Sequence, residues 1–154
     1  MKSILIPSLL LAFITVLPQA THAAVTTPDT LKSGEQVYTE VCSACHGTGV
    51  AHAPKFADKE AWVPLIAEGQ AVLTSHAWVG VRAMPAKGGN PELKLLEFAR
   101  GVAWMTRAAG SDWKDPDAKT MRAITKEAEK RLDFSIREAQ AMKKELQRSY
   151  LTRP

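Results

Sequence analysis

Cys42-Ser43-Ala44-Cys45-His46 decides how this chain is read. Two residues between the cysteines place both thiols about one helical turn apart, on one side of the backbone. Each thiol can add across a vinyl group of haem, and His46 then reaches the iron from the same side. The C-x-x-C-H spacing marks covalent c-type haem attachment for this reason. Three other uses of the pair compete. A thioredoxin-like site needs a βαβ setting, and the sequence has no stretch of period-two alternation long enough for a strand. A structural zinc site needs four ligands, usually as two spaced pairs, and Cys42 and Cys45 are the only cysteines. An ordinary disulfide is the third.

The residues before the motif bear on where its thiols are used. Lys2 is followed by an apolar run from Ile4 to Leu17 and then by small residues up to Ala23-Ala24. That layout predicts a secretory signal peptide, 1–23, cut after Ala23. The run is shorter than the roughly 20 residues of a membrane span, so membrane association is expected only if the segment stays uncut. Export predicts a periplasmic protein, in a compartment where thiols are oxidised or capped.

Beyond the leader, Ser33 is placed to cap a first helix from Gly34 to about Val41. Gly47 to Pro54 reads as a loop. Helical segments are expected at about 59–68 and 70–81, with Pro64 tolerated only near the start of the first. Ala83 to Gly89 is a second loop. Asn90-Pro91 reads as a helix start, with an apolar face from Leu93 through Phe98 and Val102 to Met105. The expected fold is all-α, and a buried haem completes a core that is small for a domain of this size.

An electron-transfer haem needs a second axial ligand, and methionine sulfur raises the potential. Met105 lies on a core helix face, and Met121 and Met142 lie in the charged tail. Met84 stands in a loop stiffened by Pro85, 38 residues after His46, and is the favoured ligand. His52 and His76 are the remaining candidates; His52 is close to His46 in sequence and His76 lies in a helix.

These pieces together resemble class I cytochromes c, and most closely the cytochrome c5 family, over roughly residues 34–106. The resemblance rests on Gly34-Glu35-Gln36-Val37-Tyr38, Cys42 to Ala51, Ala53-Pro54-Lys55, Asp58 to Trp62, and Met84 to Gly89. It implies about four helices around one haem c. It implies thioethers at Cys42 and Cys45, axial ligands His46 and Met84, the Pro54 carbonyl on the other His46 nitrogen, and Trp62 against the haem edge near a propionate. It also implies that Gly34 crosses the last family helix near Trp104. Two departures stand out. A further cysteine pair of many relatives is missing, and Leu65 stands where relatives often have arginine. Arg82 or Lys87 is then left to neutralise the propionates.

A haem domain is expected at 24–110, with 111–154 as an extension outside the resemblance. The domain holds eight basic and eight acidic side chains, whereas the extension holds eleven and eight. Haem propionates make the domain itself negative, so the basic pI carries no nucleic-acid reading. Met121, Ile124, Ala128, Leu132, Ala139, Met142, Leu146 and Tyr150 recur at three-four spacing. They predict a long helix, either folded back on the domain, mostly solvated, or used as a docking helix or short coiled coil. The function expected is one-electron transfer between redox proteins by transient docking at the haem edge, without catalysis. The alternative is the cytochrome subunit of a periplasmic oxidoreductase complex, docked through the extension.

Overall fold

The structure is a computed structural model and describes residues 31–151. The expected signal peptide, 1–23, and the lead-in to Thr30 lie outside the described residues. Helix α1 (Gly34–Val37) is capped as its sequence requires. Ser33 Oγ accepts from Gln36 N–H at 3.2 Å, and Gln36 Oε1 accepts from Ser33 N–H at 2.8 Å. This reciprocal box satisfies two of the donors that a helix start leaves open. The helix does not stop near Val41. It runs on as a π-helical segment, Tyr38–Cys42, and then as α2, Ser43–His46. Continuity replaces the expected break because the π turn absorbs one extra residue without opening the backbone, a device found often at functional sites.

Helices α3 (Lys59–Ile66) and α4 (Gln70–Val79) follow, joined across Gly69. Asp58 caps α3 through Ala61 N–H at 3.2 Å. Pro64 sits in the second turn rather than near the start. It leaves the Glu60 carbonyl without its helical donor, and Glu60 lies on the exposed side, where water can serve. Helix α5 spans Leu95–Ala108. It starts four residues later than Asn90-Pro91 suggested, because Asn90 Oδ1 accepts from Glu92 N–H at 3.1 Å and its carbonyl from Leu93 N–H. Asn90 thus closes a turn on itself, a competing use of this side chain. Glu97 makes the start of α5 instead. Its carboxylate accepts from Lys94 N–H at 3.1 Å and, across the fold, from Lys32 N–H at 2.9 Å.

The core forms where α1 crosses α5. A Cβ on Gly34 would stand 2.4 Å from the Arg100 carbonyl oxygen and 2.9 Å from Trp104 Cβ. One on Gly101 would stand 2.7 Å from Val37 Cγ1. Two glycines on facing helices therefore set an approach that any side chain would widen. Val37, Phe98, Val102 and Met105 are buried along this seam. Leu73, Ala77 and Trp62 extend the core toward α3 and α4. Among the described residues there is no strand, only one isolated bridge between Val81 and Met84.

Helix α6 is a single 34-residue helix, Ala118–Leu151. Asp117 starts it, accepting from Thr120 N–H at 2.7 Å. Its first turns pack on α4, with Ile124 and Ala128 buried. From Leu132 to Leu151 every residue is exposed. The apolar pattern of the sequence continues along one face, interrupted in part at Ser135 and Arg137, but the body beneath it ends after about three turns. No helix among the described residues is long and apolar enough to cross a membrane.

Candidate haem site

The helical run α1–π–α2 delivers Cys42, Cys45 and His46 at its end. Cys42 is half-buried and Cys45 exposed, and no disulfide joins them. Gly101 faces Cys42: a Cβ there would be 3.9 Å from the sulfur. Burial pushes the Cys42 thiol up to about 11.

His46 is buried, at 6% exposure. Its Nδ1 lies 2.8 Å from the Pro54 carbonyl oxygen. A carbonyl only accepts, so Nδ1 carries the proton and Nε2 is left with its lone pair. Phe56 N–H donates to the His46 carbonyl at 2.7 Å, which closes the loop from Gly47 to Pro54 against the helix end. The Trp62 ring stands 5.7 Å from the imidazole, tilted by 37°. Its Nε1–H donates to the Lys55 carbonyl at 2.7 Å. The indole proton is therefore used within the fold, a bond that sequence reasoning did not anticipate. Tyr38 stacks on Phe56 at 4.3 Å and packs the same loop from the other side.

Met84 is half-buried and packs on the core, while Met105 is buried within it at 4% exposure. The Met84 loop is held by backbone. Val81 and Met84 exchange N–H to carbonyl bonds at 3.1 and 2.9 Å. Gly80 ends α4 with φ of 100°, and a Cβ there would stand 3.1 Å from Ala86 N. Arg82 and Lys87 both hold positive φ, a local strain of the sort found at ligand clamps. Lys87 Nζ donates to the Pro91 carbonyl at 2.9 Å and sits 4.9 Å from the centre of the Trp78 ring. Of the two cations considered for the propionates, Lys87 is engaged in this way.

The other histidines are accounted for differently. His76, half-buried on α4, has its Nδ1 3.1 Å from the Glu68 carboxylate. His52 is exposed in the loop after α2. No group of three or more His, Cys, Asp and Glu side chains is assembled among the described residues, so a zinc reading of Cys42 and Cys45 finds no ligand set. The donor chemistry fits haem: two free thiols one turn apart, followed by a buried imidazole with one nitrogen fixed and the other open.

Comparison with known proteins agrees. A family model described as cytochrome c oxidase, cbb3-type, subunit III matches residues 29–105, half of the chain. Cytochrome c-555 of Chlorobaculum thiosulfatiphilum is 42% identical over 77 residues, which cover 47% of this chain and 90% of that protein. Cytochrome c5 of Azotobacter vinelandii is 41% identical over 77 residues, covering 49% and 93%. A cytochrome chain from the crystal structure of an electron transfer complex of nitrite reductase with cytochrome c is 41% identical, covers 49% and 93%, and superposes with a TM-score of 0.48. The chain belongs to the cytochrome c family. It is a mono-haem electron-transfer cytochrome, with haem c attached covalently through Cys42 and Cys45. Helix α6 lies beyond the family match.

Proposed function

We propose that this protein is an exported, periplasmic one-electron carrier whose haem iron is held by His46 Nε2 and Met84 Sδ. Residues 1–23 are its signal peptide, 24–110 its haem domain and 111–154 an extension. The observation that carries the ligand assignment is the His46 Nδ1 bond to the Pro54 carbonyl. It fixes the tautomer and ring orientation and raises the basicity of the other nitrogen, as partners of iron-bound histidines do. Trp62 backs the imidazole and the haem edge.

Haem c supplies the ferrous–ferric couple, and the chain's own residues hold it and exclude water. Met84 favours the ferrous state. On its loop, tied by Val81 and Gly80, Met84 would hold the iron together with His46 and would leave no site for a substrate. Redox proteins dock transiently at the haem edge near Cys45, an exposed position. Small interfaces suit such brief encounters.

The test is the long-wavelength band of the ferric protein that marks Met–iron ligation. Met84→Ala is expected to abolish it, and Met105→Ala to keep it. A Met84→Ala protein that retains the band would overturn the assignment. A second reading, subunit of a periplasmic oxidoreductase complex, draws on the outward face of α6. Lys119, Arg122, Lys126, Lys130, Arg137 and Lys144 fall along one stripe there, a face suited to an acidic partner.

A further inference from the structure

The exposed half of α6 has an unusual seam. Ile124 and Ala128 are covered by α4, and the same face then continues uncovered through Leu132, Met142 and Leu146, which are 45%, 63% and 64% exposed. Large and small residues are mixed along it, in the order Leu132, Ser135, Ala139, Met142, Leu146, Ser149. Residues at this spacing form the a and d positions of a heptad seam.

Two features of the chain choose the occupant. A second helix running parallel would have to place its own residues 118–131 against a face that α4 already fills. An antiparallel helix meets no such obstacle among the described residues, because its body lies beyond Leu151, where α6 is last described. An antiparallel pair of identical seams also matches large to small in each layer. Leu132 faces Ser149, Ser135 faces Leu146, and Ala139 faces Met142. A parallel pair in register would set Leu on Leu and Ser on Ser, leaving gaps that close packing disfavours. On one flank Lys143 would lay its stem over Ile136, and Tyr150 would reach Glu129.

We infer that residues 132–151 of α6 pair with the same stretch of a second copy of this chain, antiparallel and two-fold symmetric. The interface is isologous, as two-fold contacts are. The overlap is about 30 Å long at the helical rise per residue, and it leaves the haem domains at opposite ends, each free to meet its own redox partner. The basic stripe lies on the far side of each helix and stays open. Glu138 and Glu145 meet across the other flank. That like-charge contact makes the pair weak, and added salt is expected to strengthen it.

The test uses the haem-loaded chain as exported. Sedimentation over a range of concentrations is expected to show monomer passing into dimer. The double variant Met142→Glu with Leu146→Glu is expected to stay monomeric with an unchanged haem spectrum; both positions are exposed, so folding is spared. For direction, Ser135→Cys and Leu146→Cys proteins are expected to cross-link when mixed under oxidation and not when kept apart. Monomer at all concentrations, tight association only with a different protein, or cross-linking of Ser135→Cys with itself would each overturn the inference.

Discussion

Helices α5 and α6 are both amphipathic, and only one of them is used up by its own domain. On α5 the apolar face is wholly covered, from Phe98 at 1% exposure to Met105 at 4%. On α6 the coverage ends after Ala128. Amphipathic pattern shows which face of a helix is apolar. Whether that face is buried depends on what body lies beside it: α5 packs against α1, the π-helical segment and α4, whereas α6 packs against α4.

The contrast can be broken most forcefully at the α1–α5 crossing. Gly34→Val drives two methyl groups into the Arg100 carbonyl and Trp104, and is expected to cost about 3 kcal/mol or more of stability in denaturant unfolding of the haem-loaded protein. Within α6 the contrast sharpens over six turns. Ile124→Ala, at 0% exposure, is expected to cost about 3 kcal/mol. Leu146→Ala, in dilute solution, is expected to stay within about 0.5 kcal/mol. Equal losses at the two sites would mean that the far half of α6 is covered in the free protein.

A smaller effect separates the stitched end of α5 from α6 by pH. The Lys32 N–H, then that of Lys94, holds the Glu97 carboxyl below its usual range, against the opposing effect of burial. A depressed folded pKa contributes stability above the unfolded value, and that contribution is lost as pH falls through the folded one. Glu97→Gln is therefore expected to cost about 1 kcal/mol at neutral pH. Its gap to the parent should close in acid, as read by unfolding curves at several pH values. The smallest effect belongs to the outward stripe. Lys126→Glu with Lys144→Glu is expected to leave stability within about 0.5 kcal/mol, while slowing electron exchange with an acidic partner at low salt. An unchanged rate would remove the acidic-partner reading.

Much of the site was legible because it is local. Cys42, Cys45 and His46 declare themselves by spacing, and Ser33 as a helix cap; the reciprocal bond from Gln36 emerged only in the fold. The close passage of Gly34 near Trp104, implied by resemblance, is present in the fold. What escaped is what depends on alternative uses of the same atoms. Asn90 looks like a helix cap but spends its oxygen on Glu92 N–H. Pro64 looks confined to a first turn, yet an exposed carbonyl tolerates the missing bond. The π turn at Tyr38–Cys42 leaves no mark on apolar spacing, since it inserts a residue within a continuous helix. Nor does anything in the sequence tell that the Trp62 proton goes to Lys55, because that carbonyl arrives from a loop whose path the haem-attachment turn sets.

The backbone around Met84 is tied on both sides, by the Val81 exchange before it and by Lys87 on Pro91 after it. A side chain carried on such a span has few other places to go. With Met84 on the iron, as proposed, little nuclear rearrangement would have to accompany an electron that enters or leaves. Loop stiffness is then what this short tied span would bring to a carrier that must work in both directions.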